Sequence, residues 1–256
     1  MLPVIYINLD RDLERRQAME AMLHPHGLPF ERLRAVAWAE LDPASRAQLY
    51  DPALNQRQFE RLLVDGEKGC YASHLKACEY LLASSAPALI VLEDDVHLTD
   101  GFVDVLAAIE ALPTEGWDVI KLYSRHNERP VAAMPLTSEH QLVTYRRVPS
   151  MCYGHAISRA GAAKLLQHRR PFGRPVDVDM RYWWEADLRI LGIVPAVVTR
   201  GAASEISSIW QGGRFNRTGA ERWRRWGLQL DYTLRNAWHR HRQVLPAEVV
   251  QRRPSG

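Results

Sequence analysis

Ile90-Val91-Leu92-Glu93-Asp94-Asp95-Val96 is an apolar run that ends abruptly in three adjacent carboxylates. Ala88-Leu89 precede it and His97-Leu98-Thr99-Asp100 follow. A continuous apolar run of this length fits a strand buried on both faces, as in a parallel sheet. Open α/β sheets bind ligands just beyond the carboxyl ends of such strands. Three acids there repel one another unless a cation sits among them, and hard divalent ions prefer oxygen ligands. Strand alternation puts Glu93 and Asp95 on one side and Asp94 on the other, so two of the three can converge on one ion. The plainer reading is that the acids cap a following helix or turn.

Working outward, strands and helices alternate. Val4 to Asp10 reads as a first strand, after which Asp10 or Asp12 can cap a helix carrying Leu13, Met19, Met22 and Leu23 toward the core. Glu31 to Val36 reads as a second strand. Residues 39–66 are polar and irregular, an insertion or a mobile helical excursion that folds over the site as a lid. A helix is expected from Gly69-Cys70 to Ser84, then the acidic strand, a helix over Phe102–Leu112 and a strand over Trp117–Tyr123. Ser124 to Glu139 reads as a loop. Ser158 caps a helix running through Gln167, and Leu191 to Val198 is the last strand. The pattern is that of one α/β sheet domain, residues 1–210, with a basic helical appendage over 211–256.

The 256 residues are 46% hydrophobic and 25% charged, ordinary for a globular protein. No apolar stretch approaches the roughly 20 residues a bilayer span needs. The N-terminus reads as a strand and not as a signal peptide, which implies a cytoplasmic protein. Cys70, Cys78 and Cys152 have no disulfide or zinc spacing and read as inert thiols in a reducing compartment.

The net charge of +3 hides an asymmetry: ten arginines against Glu221, Asp231 and Glu248 leave residues 211–256 at +7 and the preceding body at −4. Among them Trp223, Trp226, Leu230, Leu234 and Trp238 sit three or four apart, an aromatic-apolar stripe on a basic helix. Such a helix settles on an anionic membrane surface, or packs on its own domain with its basic face in water. Nucleic acid ranks last, because the body holds no recognisable nucleic-acid module.

Five ordered segments resemble glycosyltransferase family 25, which includes lipooligosaccharide and collagen galactosyltransferases. They are Val4–Asp10 with Glu14-Arg15-Arg16; Gly66-Glu67-Lys68-Gly69-Cys70 with Ser73-His74; Leu92–Val96; Gly154–Ala162; and Pro175-Val176-Asp177. The resemblance spans about residues 3–210. It implies a GT-A-type, Rossmann-like, mostly parallel sheet flanked by helices. It also implies an inverting transfer of a hexose, commonly galactose, from a UDP-sugar with Mn²⁺ or Mg²⁺ to a cell-surface glycan such as lipopolysaccharide.

On that basis Asp95 is the first choice as metal ligand, with Glu93 assisting. Asn8, Arg15, Ser73, His74 and Asp94 are candidates for the donor nucleotide, the serine and histidine through a helix's first turn. Lys121 either offsets phosphate charge or is an ordinary lysine at a strand end. Inversion needs a general base on the face opposite the leaving diphosphate. Asp177 is the nominee, with Asp179, Glu185, Asp187 and Glu205 as rivals. Trp183-Trp184 would supply a sugar platform or core packing. The expected partners are a nucleotide sugar, a glycan or glycolipid acceptor and the inner face of the cytoplasmic membrane. Two alternatives remain open: a nucleotidyltransferase, and an inactive transferase-like scaffold that binds a membrane or a partner.

Overall fold

The computed structural model describes residues 1–124, 130–201 and 219–246. In chain order, β1 (Val4–Asn8), α1 (Leu13–Leu23) and β2 (Phe30–Arg34) open the fold. Then come α2 (Pro43–Leu49), α3 (Pro52–Gln58), α4 (Asp65–Ala83), β3 (Ala88–Glu93), β4 (Val96–Leu98) and α5 (Phe102–Glu110). They are followed by β5 (Val119–Lys121), β6 (Pro130–Pro135), β7 (Gln141–Tyr145), β8 (Gly154–Ser158) and α6 (Arg159–His168). The short α7 (Val176–Asp179), β9 (Ile190–Val194), β10 (Val198–Arg200) and α8 (Gly219–His239) complete it.

One eight-stranded sheet, in the order β2-β1-β3-β8-β5-β9-β7-β6, forms the centre. β1 runs parallel to β2 and β3, and β5 parallel to β9, whereas β8 and β7 oppose both their neighbours. The sheet is therefore mixed, and the expected mostly parallel pairing holds only in part. Alternation explains the apolar run of β3. Leu89 and Val91 join Ile5 and Ile7 of β1 in the core under α4 and α6, while Ile90 and Leu92 join Val4 and Tyr6 under α1 and α5.

Several expectations need correction. Leu13 opens α1 but faces solvent; Met19 and Leu23 are the residues that α1 buries. Of the two readings of residues 39–66 the helical one holds: two short helices each have Pro at the start and an aspartate cap, Asp42 accepting from the Ser45 N–H and Asp51 from the Ala53 N–H. Helix α4 begins at Asp65, not Gly69, because Glu67 folds back on the Val64 N–H at 3.1 Å. Within the expected loop 124–139, Pro130–Pro135 is an edge strand paired antiparallel with β7. The last strand is split into β9 and β10, and β10 pairs antiparallel with β4 in a two-stranded ribbon.

The boundary expected at residue 210 lies outside the described residues. Helix α8 docks on the body through one face. Tyr232 is 1% exposed against Tyr182 and Trp184, Asn236 donates to the Arg146 carbonyl at 2.9 Å, and the His239 ring stacks on Trp184. Just beyond the helix, the Gln243 side chain accepts from the Ile190 N–H and donates to the Leu188 carbonyl.

Candidate functional site

β3 ends at Glu93, and Asp94 and Asp95 form the turn into β4, so strand alternation does not run through the acidic triplet. The β4–β10 ribbon fixes this turn, with the Gly201 N–H donating to the Asp95 carbonyl at 2.8 Å. Asp94 accepts from Asn8 Nδ2 at 2.7 Å and from Arg15 Nη1 at 3.0 Å. Burial pushes the Asp94 carboxyl up, and Asn8 and Arg15 pull against that shift. Glu93 Oε1 lies 3.3 Å from His74 Nε2 and 3.9 Å from Cys70 Sγ. The Asp95 carboxyl is pushed up to about 7 by burial, then by the charges of Glu93 and Asp94. Its Oδ1 is buried without a hydrogen-bond partner among the described residues.

Two cavities meet at this turn. A smaller one of about 190 Å³ lies over the ends of β1 and β3, lined by Asn8, Arg15, Ser73, Asp94 and the segment Ala35–Ala39. A larger one of about 580 Å³ is lined by Asp177, Tyr153, Tyr182, Arg200 and the inner face of α8. Cys70, Glu93 and Asp95 line both. The acids therefore stand at the junction of two compartments.

Asp177 opens α7 on the larger cavity. Its carboxyl is raised by burial and by the Glu93 charge. Lys121 and the backbone N–H groups of Val178 and Met151 act in the opposite direction. Met151 has φ 78°, the left-handed region that a non-glycine residue occupies only when its surroundings impose it. The surroundings here include Lys121, whose buried Nζ donates to the carbonyls of Pro149 and Met151, both at 2.6 Å. Lys121, at the end of β5, thus holds the loop that faces Asp177.

The rival bases are otherwise engaged. Asp179 is paired with Arg174 and Arg169 and accepts from the Tyr71 hydroxyl. Glu185 is held by Arg174 and Arg169 at 2.8–2.9 Å, which keeps its carboxyl below the usual range despite burial. Asp187 is on the surface, paired with Arg242. Glu205 lies outside the described residues.

Trp183 and Trp184 are core residues and line neither cavity; the aromatic residues that do are Phe59, Tyr153, Tyr182 and Tyr232 in the larger and Trp38 in the smaller. Ser73 and His74 sit deep in α4, so the first-turn argument made for them fails. Ser73 Oγ donates to the Gly69 carbonyl and accepts from the Val36 N–H. Gly69 is required there, since a Cβ would lie 2.5 Å from the Val36 carbonyl. His74 lines neither cavity and acts on the site through Glu93.

The sequence reading missed Cys70, which borders both cavities, and Arg200, whose charge reaches Tyr153 in the larger one. Cys70, His74 and Glu93 place their ligand atoms within 4.8 Å of one another. Burial first, then the Glu93 charge, keep the Cys70 thiol well above its ordinary pKa in the metal-free protein. The Gly-Cys-x-x-Ser-His spacing, one helical turn between Cys70 and His74, was the available signal.

Residues 1–180 match the family model described as glycosyltransferase family 25 (LPS biosynthesis protein). The chain belongs to glycosyltransferase family 25. Among relatives, a glycosyltransferase 25 family member of Aedes aegypti is 28% identical, over 69% of this chain and 29% of its own length. The inactive glycosyltransferase 25 family member 3 of Homo sapiens is 30% identical, over 69% of this chain and 30% of its own. Procollagen galactosyltransferase 1 of Danio rerio is 25% identical, over 81% of this chain and 39% of its own. The chain thus spans about a third of the length of these family 25 relatives. The match to the family model covers Asn8, Arg15, the acidic turn and Asp177, and stops before α8.

Proposed function

We propose that this family 25 protein is an inverting, metal-dependent transferase that moves a hexose, galactose first among candidates, from a UDP-sugar to a cell-surface glycan such as lipopolysaccharide. One observation carries the reading: two cavities share the carboxylates Glu93 and Asp95, and a half-buried carboxylate, Asp177, stands on the larger one alone. The smaller cavity suits the nucleotide, with Asn8 and Arg15 at its floor, and the larger suits the sugar and the acceptor. In this reading the enzyme works at the inner face of the cytoplasmic membrane.

The residues present fit a hard divalent cation such as Mn²⁺ or Mg²⁺. Asp95 carries a buried oxygen without a partner among the described residues and a carboxyl raised by burial and then by its acidic neighbours, whose repulsion a nearby cation would relieve. Glu93 and Asp95 would hold it, and its chemistry there is to stabilise the negative charge that develops on the departing diphosphate. Asp94 is kept from it by Asn8 and Arg15 and serves to position both. Asp177, whose carboxyl is raised by burial and pulled back down by the Lys121 charge, accepts the proton of the attacking hydroxyl. Arg200 adds a positive charge on the same wall.

The inactive relatives favour a second reading, a binding scaffold without turnover. Release of UDP from UDP-galactose with Mn²⁺ separates the two. The transferase reading expects turnover by the wild type and a loss of at least about a hundredfold in Asp177→Asn, the usual scale of a general base. No turnover with any UDP-hexose would leave the scaffold.

A further inference from the structure

Helix α8 has two faces of different use. Its inner face, with Tyr232 and Asn236, docks on the body, and Leu228, Gln229 and Tyr232 also wall the larger cavity. At about 3.6 residues per turn, Trp223, Trp226, Leu230, Leu234 and Trp238 fall on the opposite face. These five are 62% to 81% exposed, one continuous stripe of large apolar side chains along the helix. Scattered exposed apolar residues are normal, but a stripe of this size on a docked helix marks a surface that something covers.

The charges beside the stripe indicate what covers it. Arg224 and Arg235 flank it on one side and Arg222 and Arg240 on the other, all exposed. Asp231 borders the first side and is paired with Arg235 at 2.8 Å. A second copy of the chain would bring arginine rows against arginine rows. An anionic bilayer would meet the tryptophans and leucines with its acyl boundary and the arginines with its headgroups.

We propose that α8 is a bilayer-docking helix, which lays this stripe on an anionic lipid surface and seats the larger cavity one helix diameter above it. With a helix about 10–12 Å across, the accepting hydroxyl would stand that far from the lipid surface, which suits a short membrane-anchored saccharide. The choice of acceptor rests on the transferase reading; the docking itself does not.

The test uses the full chain and two sets of large vesicles, pure phosphatidylcholine and phosphatidylcholine with 30% phosphatidylglycerol. The wild type is expected to co-sediment with the anionic vesicles, less so in high salt because screening weakens the arginine contribution. The variant Trp226→Ser/Leu230→Ser/Leu234→Ser, altered only at exposed positions, is expected to keep the wild-type circular dichroism and melting temperature and to bind about tenfold or more weakly. Absence of wild-type binding, or binding by the variant equal to wild type, would overturn the proposal. So would a wild-type dimer that the variant abolishes without any vesicle binding, since the occupant would then be a second copy. UDP release measured on the same samples keeps the two readings apart. Vesicle binding without turnover would remove the transferase and leave the docking helix, and turnover without vesicle binding would do the reverse.

Discussion

Lys121 Nζ donates to the carbonyl oxygen of Met151 at 2.6 Å, and the N–H of the same Met151 faces the carboxylate of Asp177. A buried ammonium is costly unless its donors are used, and here two carbonyls use it. The arrangement joins the end of β5 to the candidate base through one strained residue.

Replacing Lys121 therefore acts on both stability and pH dependence. Lys121→Met leaves the Pro149 and Met151 carbonyls without this donor and is expected to cost about 1–3 kcal/mol in urea unfolding. It also removes the charge that holds the Asp177 carboxyl down. The acidic limb of the pH–rate profile is then expected to move to higher pH. An unmoved limb would make Lys121 purely structural.

Asp95→Asn separates binding from folding. Asp95 ionises with difficulty in the fold, so its contribution to metal-free stability is present below the ordinary value of 3.8 and lost as pH rises to about 7. The neutral variant lacks that loss. Without metal at pH 8, Asp95→Asn is expected to melt at or above the wild-type temperature, while Mn²⁺-dependent binding of UDP-sugar disappears. Wild-type affinity for donor plus Mn²⁺ in this variant would contradict the ligand assignment.

The acid limit of stability falls to His155. Burial, and then the neighbouring His74 and Lys121, hold its imidazole well below 6.5, so it is neutral in the fold. The unfolded chain binds a proton there below pH 6.5, so stability is present above that pH and lost as pH falls. His155→Gln is expected to flatten the decline in melting temperature between pH 6.5 and 5. A decline as steep as the wild type's would place the sensitivity elsewhere.

Much of this was legible in the sequence and some was not. The acidic strand end stands out because carboxylates are scarce in a core and follow an apolar run here, whereas Asn8, Arg15 and Asp177 are singled out by the family resemblance. Pro130–Pro135 was misread because an edge strand pairs through its backbone and buries little, so no alternation marks it. The Asp42-Pro43 and Asp51-Pro52 pairs announce α2 and α3 but lie in polar surroundings without an apolar stripe, so a helical excursion could be expected there and its bounds could not. In α8 the tryptophans invite assignment to the core, yet Tyr232, Asn236 and the following Gln243 dock it. Neither periodicity nor composition tells which of two faces a neighbour covers.

That docking makes α8 part of the fold. Tyr232→Ala empties a fully buried aromatic site between Tyr182 and Trp184 and is expected to cost about 3 kcal/mol or more. Truncation before α8 is expected to expose the same surface and lower the melting temperature. A truncated chain with unchanged melting would show that α8 is a detachable tail.

The most direct test of the central claim is thermal stabilisation of the full chain by UDP and UDP-galactose, each with Mn²⁺ and with a chelator. A ligand that binds only the folded state raises its apparent stability by mass action. The account predicts an upward shift with both uridine compounds that vanishes with chelator in the wild type and is absent in Asp95→Asn. No shift with any uridine nucleotide in the presence of Mn²⁺ would contradict it.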